Sequence, residues 1–144
     1  MKRLTLILLF LPLLSVGQEM PTQKEGIDSI IRILINDTTI SSTDRIDRFT
    51  MILDDDTTLH LIYYFRAMDY EHSNQLQMAM KDYDKAILLF PSFSSAYYGR
   101  GLLKISMGDT LQGCKDLHKN YNLGTRGTQS IINKSCEKCC GSVD

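Results

Sequence analysis

Residues 60–93, HLIYYFRAMDYEHSNQLQMAMKDYDKAILLFPSF, and residues 94–124, SSAYYGRGLLKISMGDTLQGCKDLHKNYNLG, decide how this chain is read, because they are one segment written twice. When the first is laid on the second, Tyr63 falls on Tyr97, Tyr64 on Tyr98 and Arg66 on Arg100. Lys81 falls on Lys115, Asp82 on Asp116, Lys85 on Lys119 and Leu89 on Leu123. Small residues match as well, Ala67 with Gly101 and Ala79 with Gly113. Seven identities at one offset, with size-matched residues between them, mark an internal repeat. Each unit reads as two helices. The first unit predicts helices over about 59–72 and 75–89, joined by Ser73-Asn74. Pro91, which lacks an N–H and restricts the residue before it, then blocks continuation. The second unit predicts helices over about 94–106 and 110–122. Met107-Gly108-Asp109 joins them, the glycine accepting the positive φ that a helix end often needs, and Gly124 ends the pair.

Working outward, Ile27, Ile30, Ile31 and Leu34 recur at i, i+3, i+4, i+7, one face of a helix that Asn36-Asp37-Thr38-Thr39 ends. A further helix is expected from about Thr43 to Leu53, with Ile46, Phe49, Ile52 and Leu53 inward. Ser42 or Thr43 would cap it, and Asp54-Asp55-Asp56 closes it. Phe49 stands one period before Tyr83, and Ile52 one period before Ala86, so residues 26–56 read as a degenerate repeat or N-terminal helix pair. After the two repeats, residues 125–144 hold a short capping helix, about Thr128 to Glu137 with Ile131 and Ile132, and a Cys-rich tail. No strand signal longer than a few residues occurs, so the expected class is all-α.

The first residues read as a targeting segment. Lys2 and Arg3 are followed by an apolar run, Leu4 to Leu14, and by the small residues of Ser15-Val16-Gly17. That run is about half the length of a spanning helix, which needs roughly 20 residues. A cleaved signal at 1–17 and a polar tether at 18–25 are therefore expected, with the protein exported, periplasmic or secreted. A Cys directly after the apolar run, which a lipoprotein signal requires, is missing. Removal of Lys2 and Arg3 leaves a net charge of −3. A mildly acidic chain without a Lys/Arg cluster offers no electrostatic footprint for nucleic acid and no polybasic patch for anionic lipid. No stable membrane insertion is expected after cleavage.

With a bulky aromatic, a small residue and Tyr on its first helix, and with Ala, an aromatic and Pro on its second, the unit resembles the tetratricopeptide-repeat (TPR) family. Tyr63, Arg66-Ala67, Tyr70, Ala79, Tyr83, Ala86 and Pro91 carry the resemblance in the first unit. Tyr97, Arg100-Gly101, Gly113 and Leu117 carry it in the second. It covers about 60–124 strongly and 26–59 weakly. Arg66 and Arg100 stand where the family often has Leu, Lys104 where it has Tyr, Asn120 where it has Ala and Thr125 where it has Pro. The second unit is expected to be looser near its end. The resemblance implies a short solenoid of helical hairpins in which small residues let helices approach and aromatics fill the gaps. It also implies a non-catalytic adaptor or scaffold that holds a protein or peptide partner in a concave groove lined by first helices. That groove would present Leu61, Tyr64, Phe65, Met68 and His72 from one unit, and Ser95, Tyr98, Leu102 and Ile105 from the next. Family members that grip carboxylate-ended peptides carry Lys, Arg and Asn there. This apolar and aromatic set does not, which argues against such a ligand.

Catalytic patterns are missing. His60, His72 and His118 lie far apart in the chain with no metal-protease spacing, and no glycine-rich phosphate loop occurs. Asp54-Asp55-Asp56 lacks the glycine and ordered oxygen spacing of a calcium loop. Cys136-Glu-Lys-Cys139-Cys140 closes the last helix, where the helix dipole has the wrong sign for lowering a thiol pKa. No cofactor is expected. Cys114, His118, Cys136 and Cys139 can be drawn as a Cys3His zinc set, the alternative to an interaction module. An exported chain also meets oxidising conditions. Cys114 lies about two helical turns before the end of its helix, and Cys136 about as far into the terminal one. A hairpin would bring the two level, making them the disulfide candidate; four free thiols or another pairing are the alternatives.

Overall fold

The computed structural model describes residues 23–140. The expected signal segment and residues 18–22 of the expected tether lie outside the described residues. The chain divides into two compact units at Leu34. The described part of the first unit belongs to helix α1 (Gln23–Asn36). This helix begins three residues earlier than the apolar pattern suggests, so Gln23–Glu25, assigned to the tether from sequence, form its first turn: no proline or glycine follows Pro21 until Gly26. Ile30 and Ile33 on α1 are exposed.

The second unit contains α2 (Ser42–Asp55), α3 (His60–His72), α4 (Leu76–Leu89), α5 (Ser94–Ser106), α6 (Thr110–Asn122), a 3-10 turn (Arg126–Thr128) and α7 (Gln129–Cys140). The repeat period governs where these helices begin. Helices α2, α4 and α6 start at residues 42, 76 and 110, and α3 and α5 start at 60 and 94. Helix α2 is thus the second helix of a degenerate preceding unit. Helix α7 stands where the first helix of a following unit would stand. From α2 onward each helix packs on the next, most extensively α3 on α4 and α5 on α6, as short connections require of a stack of helical hairpins. No helix among the described residues is long and apolar enough to cross a membrane.

The turns inside the hairpins repeat too. Asn74 (φ 56°) and Gly108 (φ 92°) occupy the same position of the two units, both in the left-handed region. The amide that follows each reaches back into its helix: Gln75 N donates to Tyr70 O at 2.8 Å, and Asp109 N to Lys104 O at 2.9 Å. Such 6→1 bonds satisfy the orphan carbonyls of a helix end, and Asn and Gly are the residues that tolerate the required φ. Pro91 is exposed; α4 ends at Leu89 and the proline prevents its continuation. The N-cap of α2 is Ser41, not Ser42 or Thr43; its hydroxyl accepts from Asp44 N at 3.1 Å. Helix α2 also keeps Ile46, Phe49 and Leu53 buried and leaves Ile52 half-buried.

Two kinds of contact hold the hairpins. The first is close approach. Phe49, Tyr83 and Leu117, each one period from the next, have essentially no exposure and fill equivalent positions on three successive second helices. A Cβ added to Gly113 would lie 2.6 Å from the Gly101 carbonyl oxygen, and one added to Gly101 would lie 2.9 Å from that of Gly113. Only glycines allow α5 and α6 to cross this closely. The equivalent pair, Ala67 and Ala79, is fully buried.

The second kind is an ion-pair ladder. The Arg66 Nε donates to Asp82 Oδ2 at 2.7 Å and Nη2 to Oδ1 at 2.9 Å. One period on, Arg100 Nε and Nη2 donate to Asp116 at 2.8 and 2.7 Å. The remaining donors also correspond, Arg66 Nη1 to Thr50 Oγ1 at 2.9 Å and Arg100 Nη1 to Asp84 Oδ1 at 2.7 Å. Each guanidinium lies over a tyrosine, Arg66 over Tyr63 and Arg100 over Tyr97. Arg66 also faces Tyr70. In the next unit Lys104 replaces that tyrosine and donates to Asp116 Oδ2 at 2.8 Å. The arginines that depart from the family pattern are therefore bidentate links between the two helices of each hairpin.

The end of the second repeat is not loose. Asn120, 1% exposed, donates through Nδ2 to the Ser94 carbonyl oxygen at 2.9 Å and to Ser94 Oγ at 2.7 Å. It accepts from Thr128 Oγ1 at 2.9 Å, while Ser94 Oγ and Thr125 Oγ1 lie 2.6 Å apart. Asn in place of Ala exchanges dispersion contacts for a satisfied polar network that ties the start of α5 to the 126–128 turn. Farther along, Cys114 on α6 and Cys136 on α7 form a disulfide with Cα atoms 5.6 Å apart. They are buried in one cluster with Leu117 and Ile132. Helix α7 is thus anchored to α6 by a polar network at its start and by a covalent bond farther along it.

Candidate functional site

The first helices α3, α5 and α7 converge on an open pocket of about 230 Å³. Tyr64 comes from α3, and Ser95 and Tyr98 from α5. Asn120, Thr125, Gly127, Thr128 and Ile131 form the wall toward α7. The rings come into place through the helix period: Tyr64 and Tyr98 are repeat-equivalent, so consecutive first helices present the same side chain to the same side. Tyr64 is also the hub of an aromatic seam. Its ring centroid lies 5.3 Å from Phe65, 6.1 Å from Tyr83 and 5.0 Å from Phe93. Phe65 continues to Phe49 at 6.4 Å, and Phe93 to His60 at 5.2 Å.

The structure divides the residues assigned to the groove from sequence. Tyr64, Ser95 and Tyr98 line the pocket. Leu102 and Ile105, with the inner side of Tyr98, pack against the buried cluster that contains the disulfide. Phe65 is half-buried in the aromatic seam and Leu61 is half-buried, while Met68 and His72 are exposed. The His72 Nδ1 lies 2.7 Å from the Met68 carbonyl oxygen, a bond within its own helix. Sequence reasoning missed the wall from Asn120 to Ile131, because it is assembled from the end of α6, the turn after it and the start of α7, most of it beyond the two clear repeats. A cue existed: Thr128 lies one period after Ser94, where a third first helix is due.

Burial and one carboxylate set the electrostatics of the tyrosines at the site. The Tyr83 hydroxyl, packed against Gly99 of α5, donates to Glu71 Oε1 of α3. Burial foremost, and then the Glu71 carboxylate, push this hydroxyl far above the usual tyrosine range. Burial, with the charge of Glu71 and the nearby Tyr98, raises Tyr64 as well. Burial lowers His60. None of these groups is arranged as a nucleophile with a base, and the zinc alternative loses two ligands: the Cys114 and Cys136 sulfurs are bonded to each other and are not thiolates. His118 is half-buried on α6, and the Cys139 side chain lies outside the described residues. Among the described residues no group of three or more His, Cys, Asp or Glu is placed to hold a metal ion.

No protein-family model matches the sequence, and no curated protein does. Among solved structures the chain is similar to MamA, with a TM-score of 0.65 and 23% identity, covering 76% of this chain and 66% of that one. It thus spans just under two thirds of that chain's length. It is also similar to the first TPR of RPAP3 (Spaghetti) bound to the HSP90 peptide SRMEEVD, with a TM-score of 0.68 and 19% identity, covering 85% of this chain and 98% of that one. At these identities the likeness establishes the fold, an all-α solenoid of TPR-type helical hairpins.

Proposed function

We propose that this protein is a non-catalytic interaction module that holds an extended peptide segment of a partner protein in the pocket between α3, α5 and α7. One observation carries the reading: equivalent tyrosines of consecutive first helices, Tyr64 and Tyr98, meet Ile131 and a row of hydroxyls around a single open pocket. Aromatic faces with a few placed polar groups are what peptide grooves offer. The similarity to a TPR solved with a bound peptide supports the same use of the fold. Lys, Arg and His are missing from the lining, so the preferred ligand is not a carboxylate-ended peptide.

We further propose that the chain is exported, with cleavage after Gly17. The charged start, the short apolar run and the small residues that follow support this, and the disulfide suits an oxidising compartment. The interaction reading is tested by Ser95→Arg. Ser95 is exposed at the pocket, so a long charged side chain there fills the pocket without entering the core. Affinity capture with the native protein should recover a partner that the variant loses at unchanged melting temperature. Equal recovery by both would overturn the reading.

A further inference from the structure

The aromatic side of the pocket lies close to a carboxylate that no cation neutralises among the described residues. Two tyrosine rings from neighbouring helices edge the pocket, and a third, Tyr83, lies 6.1 Å from Tyr64. Glu71 stands two turns after Tyr64, about 10 Å farther along α3. Its Oε1 accepts from the Tyr83 hydroxyl. Among the described residues its Oε2 has no hydrogen-bond partner. No buried side-chain oxygen among the described residues is left without one, so Oε2 reaches the surface. Among the described residues Glu71 joins no ion pair; Arg66, Arg100 and Lys104 pair instead with Asp82 and Asp116. The Glu71 charge is felt at Tyr64.

A carboxylate and the faces of aromatic rings attract the same ligand, a cation. We propose that this groove recognises a basic side chain, Arg or Lys, of an extended polypeptide segment, its cationic head lying against Tyr64 and Tyr98 and facing Glu71. This rests on the interaction reading above and names the partner's chemistry.

The test is an array of amidated heptapeptides in a Gly-Ser background, each carrying one Arg, Lys, Gln or Glu, measured for binding to the purified protein. Arg and Lys peptides should bind about five- to tenfold more tightly than Gln peptides, and Glu peptides least. Glu71→Gln keeps an acceptor for the Tyr83 hydroxyl and removes the charge, so it should erase the preference while leaving the melting temperature unchanged. An Arg preference that survived Glu71→Gln, or no binding of any Arg or Lys peptide, would overturn the proposal. Equal or tighter binding of Gln or Glu peptides, abolished by Ser95→Arg, would overturn the charge preference and leave the interaction reading standing. Binding indifferent to Ser95→Arg would remove both.

Discussion

At the scale of single residues, the repeat is a set of places where one atom too many or one charge too few is felt at once. Gly101 and Gly113 cross with each Cα facing the other's carbonyl, and an added Cβ would come within 2.6 to 2.9 Å of that oxygen. Gly101→Leu should therefore destabilise by about 2–4 kcal/mol, read by thermal or urea unfolding. A melting curve overlaying that of the native protein would contradict the crossing. The ion-pair ladder separates buried from exposed carboxylates. The Asp116 side chain is 9% exposed and holds both Arg100 and Lys104, whereas that of Asp84 is 57% exposed and holds only Arg100. Asp116→Ala leaves two cations without a buried partner and should cost about 3 kcal/mol, against less than about 1 kcal/mol for Asp84→Ala. Equal costs would show that the ladder does not discriminate by burial. The identities Arg66/Arg100 and Asp82/Asp116 are legible in the sequence. Their pairing is not, because the partners lie on different helices with a turn between them, and only the packed hairpin decides that they face each other.

At the scale of elements, helix type and spacing are readable because a period seen twice predicts where the next helix begins. The starts of α5 and α6 follow from those of α3 and α4, and the two clear hairpins emerge with boundaries within a residue or so of expectation. What cannot be read is how the flanking elements attach. Asn120 looks like a defect against an Ala pattern until Thr128 and Ser94 are brought to it, and those contacts are tertiary. The α6–α7 junction has two anchors of different chemistry, and they fail separately. Reduction, or the Cys114→Ser/Cys136→Ser double variant, should lower stability by about 3 kcal/mol in the chain-entropy picture. Hydrogen exchange should show protection lost in the later turns of α7 while α3–α6 keep theirs. Asn120→Ala should instead loosen the 126–128 turn and the start of α5. Uniform loss of protection in either case would mean that the junction has no local anchors.

At the scale of the whole molecule, a helical repeat is a scaffold, and function enters through whatever its first helices jointly present. Three of the eight lining residues are legible in the sequence: Tyr64, Ser95 and Tyr98 follow from the repeat. The other five depend on the end of α6, a turn and a terminal helix whose placement comes from the polar network and the disulfide. Export is checked at the N-terminus. Mass spectrometry of protein from its own cells should find a chain beginning at Gln18, and an intact Met1-Lys2-Arg3 start would refute it. The central claim, that the partner is held in this pocket, is tested most directly by placing a photo-crosslinking residue at Ser95 in the native cell. As the control, the same residue goes at Leu88, which is 72% exposed on α4 and not part of the pocket lining. Binding in the pocket predicts one discrete adduct from position 95 that is missing from position 88. No adduct at 95, or the same adducts from both positions, would contradict it.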